Sequence, residues 1–180
     1  MACIACTLLF IAKFSCYNKK MKITLLTVGK IKEKFYCQAI DEYAKRLSRY
    51  CKLNIIEVAD EKTPDNASEA TEKQIKEKEG ERLLKHLENE QAYVIVLAID
   101  GAMLDSIQLS EKIEQLGVTG KSHLVFIIGG SLGLSDAVIK RADYKLSFSK
   151  MTFPHQLMRV VLLEQIYRGY RIMNNEPYHK

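Results

Sequence analysis

The sequence predicts an α/β protein: a mainly parallel sheet with helices on both faces. Three observations carry this. Short runs that are apolar throughout (ITLLTV at 23–28, YVIVLAI at 93–99, LVFII at 124–128) have the length of buried strands. They alternate with longer segments whose apolar residues recur at the helical period, and such alternation builds parallel strands joined by crossover helices. The 180 residues are 47% hydrophobic and 27% charged, enough apolar material to fill a core and unlike a disordered tail. Nine glycines and three prolines exclude a collagen-like or low-complexity chain. There is no internal repeat, and no apolar run is long enough for a conventional membrane helix.

Each element follows from its local pattern. Residues 23–28 form a buried strand that stops at Gly29. From Lys34 to Tyr50, the residues Phe35, Ile40, Tyr43, Ala44 and Leu47 share one helical face, with lysine and arginine on the other. Residues 53–58 (LNIIEV) are the second strand, and the polar stretch 60–67, with Pro64, Asp65 and Asn66, is a loop. Ser68 opens a charged helix that runs to about Leu87. Residues 93–99 are the third strand, ended by Asp100 and Gly101. A short helix covers Ser106 to about Leu116, and residues 124–128 are the fourth strand, leading into GGSLG at 129–133. Ser135 caps a helix to about Arg141, residues 145–148 are a brief strand, and 156–173 are the clearest helix of the chain.

Residues 1–20 do not share this pattern. ACIACTLLFIA at 2–12 is too short to span a bilayer, and its lysines follow the apolar run, the reverse of a secretory signal. Met21 stands directly before the first strand. The expected organisation is therefore an upstream or non-native extension over 1–20 and a single domain over 21–180. Cys3 and Cys6 form a CxxC without a second ligand pair, so neither zinc nor redox chemistry is supported. Cys37 and Cys51 are isolated, which suits a reducing cytoplasm. Of the net charge of +5, the extension carries +3. Residues 21–56 sum to +5, 57–90 to −5, 91–139 to −3 and 140–180 to +5. Two basic ends thus flank an acidic middle, an arrangement open to phosphate binding or to plain solvated helix faces.

In parallel sheets ligands bind beyond the carboxyl ends of the strands. Three such ends gather glycines or polar residues, at 99–101, 128–130 and 148–150, and the site is expected where they converge. GGSLG allows close backbone approach to a ligand, but it is neither GxGxxG nor a P-loop, and a tight turn explains it as well. SKMTFPH at 149–155 runs from a strand into Pro154 at a helix start, with backbone groups suited to line a pocket. His155 is open to three roles: base, phosphate contact or helix-terminus residue. The last helix mixes Arg159, Glu164, Arg168 and Arg171 into an apolar stretch, as a subunit interface or a core helix with charged edges would. The tail Pro177-Tyr178-His179-Lys180 frays unless it docks, for instance across a dimer. GxSxG, HExxH and clustered His/Cys sets are absent, and the acids of 60–90 show no paired-carboxylate pattern.

Taken together, MKITLLTVGKIKEKFY at 21–36, DEYAKRL at 41–47, IIGGSLGLS at 127–135, LSFSKMTFPHQLMRVVLLEQIYRGYRI at 146–172 and PYHK at 177–180 resemble one family. It is the ribosomal RNA large subunit methyltransferase H family, SPOUT-class enzymes that methylate N3 of pseudouridine 1915 in 23S rRNA. The resemblance runs from Met21 to Lys180, and its specific part is SFSKMTFPH with the downstream arginines and PYHK. It implies a SPOUT-type C-terminal trefoil knot, a cytoplasmic homodimer and S-adenosyl-L-methionine as methyl donor. The implied cofactor positions are Leu97, Gly129, Ser149, Lys150, Met151, Thr152, Phe153 and Pro154, which fall on the strand ends singled out above.

A sulfonium donor is already activated, so no metal is required. Alignment then supplies the larger share of catalysis, roughly 7–11 kcal/mol in good cases. A base, or a cation beside the uracil anion, adds to it. The resemblance puts His179 and Arg168 ahead of His155 as direct participants, with Tyr178 beside His179 reaching across the dimer. The basic ends would grip rRNA in the assembled ribosome. The competing readings are a nucleotide- or flavin-binding α/β protein, a non-catalytic ribosome-binding module, and methylation of another RNA. The first leaves SFSKMTFPH and PYHK unexplained, and the second sits badly with intact cofactor positions.

Overall fold

The computed structural model describes residues 20–88 and 91–179. Along the chain lie β1 (Lys22–Val28), α1 (Lys34–Leu47), β2 (Lys52–Val58), α2 (Glu69–Lys85), β3 (Tyr93–Met103), α3 (Ser106–Val118), β4 (His123–Ile128), α4 (Asp136–Arg141), β5 (Tyr144–Ser147) and α5 (His155–Met173). The strands form one sheet in the order β2-β1-β4-β3-β5, and every neighbouring pair is parallel.

The continuous apolar runs are explained by a sheet buried on both sides. Ile23, Leu25, Leu124, Phe126 and Ile128 turn to one face and pack with Leu47 of α1, Leu109 and Ile113 of α3, and Leu162, Leu163 and Ile166 of α5. Leu26, Val28, Val94, Val96, Val125 and Ile127 turn to the other, against Leu83 of α2 and Val138 of α4. Helix starts are set locally. Ser68 and Ser135 accept the amides of Thr71 and Val138, and Asp105 forms a capping box with Gln108.

Two expectations need correction. The first is the end of β3, which does not stop at Asp100-Gly101 but runs to Met103, its pairing with β5 shifting register between Leu97 and Ala102. Gly101 makes the irregularity possible: a Cβ there would lie 2.8 Å from the carbonyl carbons of Lys145 and Leu146. Asp100 is held outside by Lys145 Nζ at 2.9 Å. The second is Arg159, which is no charged edge. It is 1% exposed and donates to Glu57 Oε1 (2.6 Å) and to the carbonyls of Val28 (2.7 Å) and Gly29 (2.9 Å). The tail, expected to fray unless it docks, has contacts with its own chain. Glu176 accepts from Arg171 (2.6 Å) and from the Tyr50 hydroxyl, and the Tyr178 ring meets Tyr167 edge-on at 5.0 Å.

The extension expected over 1–20 lies, except for Lys20, outside the described residues. Among the described residues no helix is long and apolar enough to cross a membrane.

Arg159→Ala leaves two strand-end carbonyls and Glu57 without their donor. Unfolding free energy should fall by about 3 kcal/mol, the low end for breaking a buried pair because Glu57 keeps some access to water. Denaturant titration measures this, and a loss below about 1 kcal/mol would contradict the role given to the guanidinium.

Candidate active site

The carboxyl ends of β3, β4 and β5 open into one cleft of about 670 Å³, within the roughly 300–1,000 Å³ typical of small-molecule sites. Its walls come from the ends of the three strands expected to converge, although at β3 they are Leu97–Ile99 and not Asp100 or Gly101; the others are Ile128–Leu134 after β4 and Leu146–His155 from β5 into α5, except Lys150. Lys150 is exposed outside the wall.

Glycines shape the β4 wall. A Cβ on Gly129 would lie 2.7 Å from the carbonyl group of Gly133, so the loop folds back on itself only without a side chain there. The Gly133 amide donates to the Gly130 carbonyl at 3.1 Å, and Gly133 has φ +86°, which favours glycine. The β5 wall is ordered by serines. Ser147 Oγ donates to the Ser149 carbonyl (3.1 Å), and Ser149 Oγ accepts the Met151 amide (3.0 Å). Pro154 then caps α5, so His155 is its first residue and faces the cleft half-buried. Met151 and Phe153 stay exposed as apolar edges of the opening.

Burial and the neighbouring Arg159 hold the His155 imidazole below its ordinary range, against the pull of Asp60 and Glu33. It is therefore neutral at pH 7 and able to accept a proton.

The other three catalytic candidates lie elsewhere on the protomer. Arg168 is thirteen residues along α5 from His155, about 20 Å at helical rise. Its guanidinium chelates Glu164 Oε1 (2.6 and 3.0 Å) and lies 4.7 Å over the Tyr178 ring, while the Tyr178 hydroxyl donates to the same Glu164 oxygen at 3.2 Å. Burial and its hydrogen bonds push the Tyr178 hydroxyl up to about 12, so it stays protonated at neutral pH. His179 is exposed beside it. One chain thus unites Arg168, Tyr178 and His179 at the far end of α5 and keeps His155 alone at the cleft.

Comparison with known proteins decides the family. A family model described as a predicted SPOUT methyltransferase matches residues 21–179. The chain belongs to the SPOUT methyltransferase family. Within it, the chain is 67% identical over 160 residues to the ribosomal RNA large subunit methyltransferase H of Bifidobacterium adolescentis and 65% identical to that of Clostridium tetani. Each match covers 89% of this chain and all of the relative. A putative methylase family protein of Neisseria gonorrhoeae shares the fold at 12% identity, with a TM-score of 0.51 over 91% of this chain and 87% of its own.

Two buried charges of this SPOUT domain went unread in the sequence. Arg159 is one. The other is Glu79, 4% exposed within the helix read from the sequence only as charged. Its Oε1 accepts the Glu61 amide at 2.9 Å, while Oε2 has no hydrogen-bond partner among the described residues and lies 3.0 Å from where a Gly130 Cβ would be. A signal existed for both. Ile75, Glu79 and Leu83 make one i, i+4 stripe, and Arg159 shares a stripe with Leu162, Leu163 and Ile166.

Burial raises the Glu79 carboxyl above its ordinary value, partly opposed by the Glu61 amide. A carboxyl raised on folding contributes stability below its unfolded pKa, about 4.3, and loses it as pH rises through the folded value. Glu79→Gln should therefore gain stability relative to the unmodified protein as pH rises from about 4 to 8. Melting curves across that range test this; a difference that does not change with pH would contradict it.

Proposed function

We propose that this SPOUT methyltransferase transfers a methyl group from S-adenosyl-L-methionine to N3 of pseudouridine 1915 in 23S rRNA, acting on the assembled ribosome in the cytoplasm as a homodimer. The observation that carries the reading is the cleft at the strand ends. Its apolar wall, from Leu97, Ile128, Leu146 and Phe153, suits a purine ring. Main chain of 129–134 on one side and of 147–154, Lys150 apart, on the other lines the cleft and would supply hydrogen bonds to the cofactor, and Gly129 lets the first loop fold back on itself. Leu97, Gly129, Ser149, Met151, Thr152, Phe153 and Pro154 would hold the cofactor, with Lys150 at its outer edge. The names of the close relatives support large-subunit ribosomal RNA as the substrate. The meeting of 97–99, 128–134 and 146–155 at one cleft is compatible with the trefoil knot that the family resemblance implies, and we include that knot in the proposal.

When bound, the cofactor supplies a methyl group activated by its sulfonium. The chain's task is then to place the acceptor nitrogen in line and to help its proton leave. Within one protomer His155, at the opening, is the alternative acceptor of that proton to His179. The Arg168–Glu164–Tyr178 cluster is about 20 Å away along the same helix, so its catalytic use requires a second copy to bring its own tail to this cleft. In that arrangement Arg168 steadies the uracil anion or a phosphate, and His179 provides a base in trans. The pairing of Arg168 with Glu164 keeps the guanidinium oriented for that contact.

Mass spectrometry of 23S rRNA from a deletion strain should show one pseudouridine lacking its methyl group. Titration calorimetry should give binding to S-adenosyl-L-methionine and none to FMN or NAD. His179→Ala and Arg168→Ala should each slow single-turnover methyl transfer by about a hundredfold while leaving cofactor affinity unchanged; a full rate for His179→Ala would remove it from catalysis.

A further inference from the structure

The segment joining β1 to α1 has no role in the cleft wall, yet it runs beside it. It starts at Gly29, whose carbonyl accepts from Arg159, and continues past Glu33, whose charge bears on His155. Along it Lys30, Lys32 and Lys34 are all exposed, with Glu33 the only acid among them. Phe35 follows, 60% exposed, its ring centroid 4.1 Å from that of Tyr36. The core contacts of α1 come instead from Ile40, Tyr43 and Leu47.

This placement works against local stability. The first turn of α1 carries no acid and its N-cap, Glu33, makes no side-chain cap, so Glu33 alone offsets Lys30, Lys32 and Lys34 around the positive end of the helix. Three cations beside an exposed, ring-supported aromatic face match the chemistry of unpaired RNA, whose phosphates seek lysines and whose bases stack on aromatic rings. A second copy of the chain meets that charge less well than a polyanion does.

We infer that residues 30–36 are the RNA-contacting rim of the active site: Phe35 stacks on an unpaired base flanking the target nucleotide, and Lys30, Lys32 and Lys34 hold its phosphates. The inference rests on the methyl-transfer reading above and names the surface that presents the substrate to the cleft.

The test uses the full-length protein and large ribosomal subunits from a strain lacking it. Replacing all three lysines by glutamine should raise KM for the subunits at least about tenfold. It should also reduce the slope of log affinity against log salt by about 2, from three single-strand phosphate contacts. Phe35→Ala should raise KM by about fivefold to a hundredfold, and Phe35→Trp should restore it. In every variant kcat and S-adenosyl-L-methionine affinity stay unchanged. Unaltered KM and salt slope in an enzyme that methylates normally would overturn the rim alone. So would a Phe35→Ala protein that falls to a smaller assembly in sedimentation, since the surface would then be a subunit contact. Absence of methylation by the unmodified protein would instead overturn the functional reading, and filter binding of the same subunits would still read the rim.

Discussion

The buried guanidinium of Arg159 is the constraint on which the functional end of the molecule depends. It reaches from α5 across the ends of two strands, satisfying the last carbonyl of β1, that of Gly29 and the carboxylate of Glu57 in β2. Those groups lie where strand pairing ends, and a buried carbonyl without a donor is costly. The same contact fixes the first turn of α5. His155 and Met158, four and one residues before Arg159, thereby take their places in the cleft wall. The cation also helps keep His155 neutral, so one side chain sets both the position and the protonation of the imidazole.

Close backbone approach sets the rest of the cleft. Gly101 lets the extended end of β3 lie against β5, and Gly129 lets the β4 loop fold on itself. Gly130 sits above the buried Glu79 carboxyl, which also holds the Glu61 amide of the loop after β2. The pocket is thus bounded by main chain wherever two segments meet, and apolar side chains enter from Leu97, Ile128, Leu146 and Phe153. Such a wall is rigid because no rotamer change can relax it.

At the opposite end of α5 the chemistry is of another kind. Tyr43, Tyr50, Tyr167, Tyr170 and Tyr178 pack as a ladder of rings, with Arg46, Arg49, Arg168 and Arg171 lying over their faces. Glu42, Glu164 and Glu176 pair with these arginines. The ladder docks the tail and holds Tyr178 and His179 at the surface, poised to meet another molecule. The separation of this cluster from the cleft is the reason that a composite site between two copies is the reading proposed for catalysis.

Much of this architecture was legible from local pattern. The strand runs, the caps at Ser68 and Ser135, and the convergence of three strand ends all depend on residues close in sequence, where apolar periodicity, capping oxygens and glycines act directly. The Asp100-Gly101 pair misled because a glycine that ends a strand and one that permits a bulge look alike in one dimension. Glu79 and Arg159 sat in apolar stripes that already marked them as buried, but their partners lie 18 and 102 residues away. The sequence by itself therefore determined the α/β class, the elements and the place of the cleft, since these follow from short-range preferences. Only the tertiary structure decided the strand order, the partners of the buried charges and the distance between His155 and the Arg168 cluster, because each depends on which remote segments the sheet brings side by side.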